Sequence, residues 1–294
     1  LRKQFVKTLK SILNDDIETT LLLGDIGVYG FREELENIPN RVYNIGILEQ
    51  TTVSMAAGMS IEGMTPFVHT IAPFLVERAL EQIKLDFGYQ NLNGNFVTIG
   101  NSYDYASLGC THHCPGDIQI LMSIPNMKIF VPGTSSELNF LLKDNYKNGL
   151  NYYRMSEYEN EESFNTSDAT VIKKGKNATI VCFGNILSQV KKACFDLDVT
   201  ILYYNTVVPF DEKTLRDNYN EIIIVCEPFY EGTVNYLITK SFQNKSINLY
   251  NIGVPRKFLT NYGSKEEHDK NLLLDSLGIE NQIKFILEKK HVDV

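Results

Sequence analysis

The chain has no surplus of positive charge: 28 Lys and Arg stand against 36 Asp and Glu, a formal net charge of −8 at pH 7. That sign argues against nucleic acid or an anionic membrane as a partner. No apolar run approaches the roughly 18 residues a membrane-spanning helix needs. Cysteine is scarce, odd in number and scattered, with five in 294 residues. No disulfide framework reads out of it, and a reduced, cytoplasmic setting is expected. Internal repeats and low-complexity tracts are lacking as well. What is present is ordinary for a globular protein, 43% hydrophobic and 22% charged, at a length comfortable for two domains.

Residues 1–14 carry basic side chains around Phe5, Val6, Leu9, Ile12 and Leu13. That spacing predicts an amphipathic helix covering a sheet rather than a secretory segment. Candidate strands follow at 20–23, 42–45, 66–69, 96–99, 127–131 and 152–155, with candidate helices at 50–61, 75–87, 115–123 and 135–146. Near-continuous apolar strands alternating with helices predict a parallel α/β sheet. Residues 156–168 are polar, acidic and without periodicity, which reads as a loop and linker. A second alternation follows, with strands at 179–183, 200–204, 222–226 and 247–252, helices at 186–195, 211–219 and 233–241, and a helical end over 270–290. The expected fold class is α/β in two domains, each an open, mostly parallel sheet flanked by helices. Their expected bounds are 1–164 and 177–294, joined by a linker at 165–176.

The most informative stretch is Arg41-Val42-Tyr43-Asn44-Ile45-Gly46-Ile47-Leu48-Glu49-Gln50. A β-like run turns at Gly46 and sets Glu49 at the start of an apolar-periodic helix through Val53, Ala56, Ala57 and Ile61. An acid there is either a first-turn carboxylate facing the positive helix end or a buried acid that bonds a cofactor nitrogen. Further on come His69-Thr70-Ile71-Ala72-Pro73-Phe74, Arg78-Ala79-Leu80-Glu81-Gln82-Ile83, and Gly109-Cys110-Thr111-His112-His113, with Ile124-Pro125-Asn126-Met127 after them. The run from Cys110 to Cys114 also invites a zinc reading. Four ligands within five residues cannot easily reach one tetrahedral centre, so no metal site is expected.

In this order the motifs resemble those of transketolase-like thiamine diphosphate enzymes. The resemblance covers essentially the whole chain and implies the pyrimidine-binding domain followed by the transketolase C-terminal domain, the latter through Val207-Val208-Pro209-Phe210-Asp211 and Ile224-Val225-Cys226-Glu227. It implies that Glu49 bonds N1′ of the aminopyrimidine and activates the cofactor, and that Phe74 stacks on that ring beside an apolar wall at Ile71. Ile47 would be the aliphatic wedge beneath the bent cofactor, or ordinary packing. Asp25 would lie near the thiazolium and a subunit contact, or serve as a turn. His112 falls on the catalytic-loop histidine, a group able to move a proton or bond a developing oxyanion. His113, Arg78 and His69 are candidate substrate contacts; a surface salt bridge is the other reading of Arg78.

The departures matter as much. Leu108 stands where the family has an aspartate that bonds a substrate hydroxyl, and Gly100 lies where many transketolases have a phosphate-binding histidine. Glu157 replaces an arginine that binds sugar phosphate, with Arg154 near enough in sequence to compensate. A carboxylate about 4 Å from a phosphate charge, at an effective dielectric near 20, is repelled by on the order of 4 kcal/mol per charge pair. An unphosphorylated, modified or nucleotide-linked sugar acceptor is therefore expected.

The family holds the diphosphate and Mg²⁺ with a Gly-Asp-Gly segment on a separate domain, and no Gly-Asp-Gly occurs here. The expectation is a split enzyme transferring a two-carbon ketol unit. A second subunit would carry that segment, and a homodimer of this chain would sit within an α2β2 assembly. The alternatives are the β-type subunit of a 2-oxo acid dehydrogenase, which usually has His-Ser-Gln at 111–113, and a non-catalytic assembly subunit.

Overall fold

The computed structural model describes residues 1–243 and 245–289, leaving aside the Lys289 side chain. Position 290, the expected end of the last helix, and the stretch to 294 lie outside the described residues.

The first half builds β1 (Thr19–Leu23), β2 (Val42–Asn44), β3 (Thr65–Ile71), β4 (Gly94–Ile99), β5 (Met127–Phe130) and β6 (Leu150–Arg154). All six are parallel, in the order β5-β6-β4-β3-β1-β2. The second half contributes β7 (Thr170–Lys173), β8 (Thr179–Phe183), β9 (Thr200–Tyr204), β10 (Thr206–Val208), β11 (Ile222–Tyr230) and β12 (Asn248–Val254). Its own sheet runs β12-β11-β8-β9-β7, parallel except for β7, which pairs antiparallel with β9. Two open, mostly parallel sheets with flanking helices are the expected fold class.

Several details differ from the sequence reading. Thr170–Lys173, inside the expected linker, is an edge strand of the second sheet. Its four residues are all half-buried, so it shows neither the apolar run nor the clean alternation by which strands are read. β10 leaves the second half to pair antiparallel with β5 at the edge of the first sheet. The expected helix over 75–87 is broken into Ala72–Val76, Leu80–Gln82 and a π-helical turn at Ile83–Tyr89. The helical end is two helices, Lys265–Asn271 and Ser276–Lys289. The first of these carries a capping box in which Ser264 and Glu267 satisfy each other's backbone amides.

The N-terminal helix Arg2–Asp15 buries Phe5, Leu9, Ile12 and Leu13, a stripe at helical spacing. Helix Glu49–Ile61 buries Glu49, Thr52, Val53, Ala56 and Ala57 in the same way. Among the described residues no helix is long and apolar enough to cross a membrane.

Candidate active site

In open α/β sheets, functional groups collect beyond the carboxyl ends of parallel strands. Here β1, β2 and β3 end at Leu23, Asn44 and Ile71. After β2 the chain turns at Gly46, whose φ of 84° is a left-handed conformation that a side-chain-bearing residue adopts only with strain. A Cβ at Gly46 would meet nothing within 4 Å, so the constraint there is conformational rather than steric. The turn leaves Ile47 and Leu48 exposed, at 64% and 54%, and starts the next helix at Glu49.

Glu49 is 2% exposed. Its Oε2 accepts a hydrogen bond from Arg78 Nη1 at 2.7 Å, while Oε1 is buried and meets no partner. A buried carboxylate oxygen left open is expensive unless something donates to it. The Arg78 guanidinium also lies 4.4 Å over the Phe74 ring. Phe74 opens the helix after β3 and meets the His112 ring edge-on, centroids 5.2 Å apart. His112 Nδ1 is 2.9 Å from Thr111 Oγ1, and its ring faces Tyr105 at 6.4 Å. The Tyr105 hydroxyl donates to Glu157 Oε1 at 3.2 Å. A continuous cluster thus runs Glu49–Arg78–Phe74–His112–Tyr105–Glu157.

Other expected site residues sit around or away from this cluster. Asp25 follows β1 by two residues and has a φ of 58°. Its amide donates to Asn44 Oδ1 and its Oδ1 accepts from Asn44 Nδ2, both at 3.1 Å, so the neighbouring strand clamps it. Ile71 is half-buried at the end of β3. His69, also on β3, is 1% exposed, with Nδ1 on the Val97 carbonyl at 2.8 Å and its ring 4.7 Å from Phe5. Burial lowers its pKa to about 4. His113 turns from its neighbour His112 toward the second half of the chain, where its ring is 5.6 Å from that of His268. Burial, with His268 and His112 nearby, lowers its pKa to about 4.

Arg154 does not face Glu157's carboxylate as a counterion. It is buried, with Nε on Asp117 Oδ2 at 2.7 Å and Nη2 on Ser102 Oγ at 2.9 Å. Tyr105 joins the departures at Gly100 and Glu157. A Cβ at Gly100 would run into the Tyr105 ring, which fills the space a side chain there would need. Sequence reasoning missed Tyr105 and Asn44; both lie within or beside the motifs, but only packing aims their side chains. Among the described residues, no group of three or more His, Cys, Asp or Glu is placed to hold a metal ion.

These residues fit an aminopyrimidine: a buried carboxylate with an open oxygen at a helix N-terminus, beside an aromatic face. Glu49 and Phe74 would hold that ring.

The family described as transketolase, pyrimidine binding domain, matches residues 1–154. The chain is 35% identical over 291 residues to an uncharacterized 33.6 kDa protein in the fasciation locus of Rhodococcoides fascians, covering 96% of this chain and 93% of that protein. It is 32% identical over 259 residues to 1-deoxy-D-xylulose-5-phosphate synthase of Psychromonas ingrahamii, covering 83% of this chain but 41% of that enzyme. The chain therefore spans less than half the length of such synthases. A split gene transketolase, described as an inactive beta4 tetramer, shares the fold with a TM-score of 0.84 at 21% identity, over 98% of this chain and 97% of that one. Transketolase from Campylobacter jejuni does so at 0.80 and 15%, over 96% of this chain and 46% of that one. With its pyrimidine-binding domain matched and its motifs gathered at the strand ends, the chain belongs to the transketolase-like family of thiamine diphosphate enzymes.

Proposed function

We propose that this chain is the pyrimidine-binding and C-terminal subunit of a split, transketolase-like enzyme that moves a two-carbon ketol unit between sugars. The single observation carrying the reading is the buried Glu49 carboxylate with its open Oε1, linked through Arg78 to Phe74 and His112. Bound there, thiamine diphosphate supplies the carbanion-stabilising centre for breaking and making bonds beside a carbonyl. Glu49 would exchange a proton with the pyrimidine ring nitrogen. Phe74 would fix the ring plane. His112, half-buried at the rim, would bond the substrate oxygen or carry its proton.

A second polypeptide with a Gly-Asp-Gly segment would hold the diphosphate and Mg²⁺. The outer face of helix Glu49–Ile61, with Met55 and Ile61 exposed beside Ile47 and Leu48, would pack against a second copy of this chain within an α2β2 assembly. A split gene transketolase of the same fold is described as a tetramer, which supports an oligomeric state.

The acceptor would be an unphosphorylated, modified or nucleotide-linked sugar. Tyr105 fills the space beside Gly100 and directs its hydroxyl to Glu157, so a neutral and an anionic group stand where phosphate-binding residues are expected. Turnover of ribose 5-phosphate at ordinary rates would overturn this acceptor class.

Calorimetry of thiamine diphosphate with Mg²⁺ tests the assembly, on this chain alone and then mixed with a polypeptide carrying Gly-Asp-Gly. Binding is expected in the mixture only. Glu49→Gln in the mixture should remove most activity; full activity in that variant would make the chain a non-catalytic assembly subunit.

A further inference from the structure

Arg78 contacts both of the groups assigned to the pyrimidine, the Glu49 carboxylate and the Phe74 ring. Its guanidinium is planar and donates to the Glu49 carboxylate at 2.7 Å. It also lies 4.4 Å over the Phe74 ring. A planar nitrogen cation of this kind presents N–H donors at its edge and a flat face above and below. An aminopyrimidine bonded to the open Oε1 of Glu49 and stacked on Phe74 would need the ring face that the guanidinium covers.

We propose that Arg78 is a built-in plug of the pyrimidine site, which occupies the ring's place in the cofactor-free chain and is displaced when the ring binds. The inference rests on the assignment of Glu49 and Phe74 to the pyrimidine.

The physical reason for a plug is the burial of Glu49. A carboxylate with 2% of its side chain exposed needs a counterion or a strong donor. Arg78 supplies one before assembly. It is suited to leave, because its own side chain is 41% exposed. Among the described residues, Glu49 is its hydrogen-bond partner. Swung away from the Phe74 face, the guanidinium returns to water, where it is well solvated, and the ring nitrogen bonds the open Oε1. Glu49 has a donor before and after the exchange. Apparent affinity for the ring is then the intrinsic affinity reduced by the fraction of chains in which Arg78 has swung away.

The test uses the full chain and a probe that needs no diphosphate site: 4-amino-2-methylpyrimidine, followed by saturation-transfer NMR. Arg78→Ala should bind this probe about tenfold more tightly than the unaltered chain, as expected when the competing state is removed. Arg78→Lys, which keeps the charge but not the planar fork, should fall between. In the absence of probe, Arg78→Ala should melt at a lower temperature, because Glu49 has lost its counterion. Glu49→Gln should weaken binding in both backgrounds.

Equal or weaker binding by Arg78→Ala, with Glu49→Gln still defective, would overturn the plug while leaving the pyrimidine site standing; weaker binding would make Arg78 a ligand of the ring. Binding that ignores Glu49→Gln, or no binding by any variant, would overturn the pyrimidine assignment and the plug together. An unchanged melting temperature in Arg78→Ala would remove the counterion role on which the plug depends.

Discussion

At the scale of single residues, the chain keeps its acids and imidazoles in sharply different surroundings. Glu49 is buried but paired, whereas His69 is buried and neutral against Phe5. The second case has a measurable consequence. His69 has a pKa of about 4 in the fold and an ordinary value of 6.5 when exposed. The folded state therefore holds the neutral ring, and the unfolded chain takes up the proton first as pH falls. Stability from this group is complete above pH 6.5 and drains away between 6.5 and 4, by about 3 kcal/mol in all. Urea unfolding of His69→Gln and of the unaltered chain at a series of pH values should show the variant losing less stability across that window. Parallel curves would mean that His69 is protonated in the fold.

At the scale of elements, the N-terminal helix is the piece whose packing is most exposed to a single change. Phe5 is fully buried against Phe31, centroids 5.8 Å apart, and against His69 at 4.7 Å. Thr8 ties the same helix to Asn139 on the helix Ser135–Asn145. Phe5→Ala should cost about 3–5 kcal/mol, the loss typical of an aromatic removed from a tight core. Limited proteolysis should then cut within residues 1–15 first; cleavage elsewhere first would show that the helix is not the weak element. The helix was legible in sequence because its apolar residues recur at helical spacing. The break in the expected helix over 75–87 was not. Its residues keep a helical pattern throughout, and the interruption leaves Arg78 free to turn back to Glu49.

At the scale of the whole molecule, a buried ion pair within the first half reaches the second half through Ser102 and the Pro228 carbonyl. Asp117 Oδ2 accepts from Arg154 Nε at 2.7 Å and from the Tyr152 hydroxyl at 2.9 Å. Arg154 reaches Ser102, and the Ser102 hydroxyl donates to the Pro228 carbonyl at the end of the second sheet's β11. With side chains 3% and 0% exposed, neither partner can be neutralised alone without leaving a buried group uncompensated. Asp117→Asn should therefore destabilise the chain by about 3–5 kcal/mol. Asp117→Asn with Arg154→Met should recover part of that loss, because the orphan charge is gone. A chemical-denaturation cycle over the four proteins checks the coupling; strictly additive losses would mean that the two groups stabilise independently.

The alternating α/β plan, the turn that sets Glu49 at a helix start, and the order of the motifs carrying Phe74 and His112 were all readable along the chain. These follow from local properties: apolar periodicity, a left-handed turn that favours glycine, and fixed spacing along the chain. It took the packed fold to make β7 and β10 edge strands, to commit Arg154 to Asp117, to set Tyr105 in the space beside Gly100, and to lay Arg78 between Glu49 and Phe74. Each of these joins residues distant in sequence or depends on which way a long side chain turns. Burial and charge compensation across the whole chain fix such choices, and no local pattern encodes them.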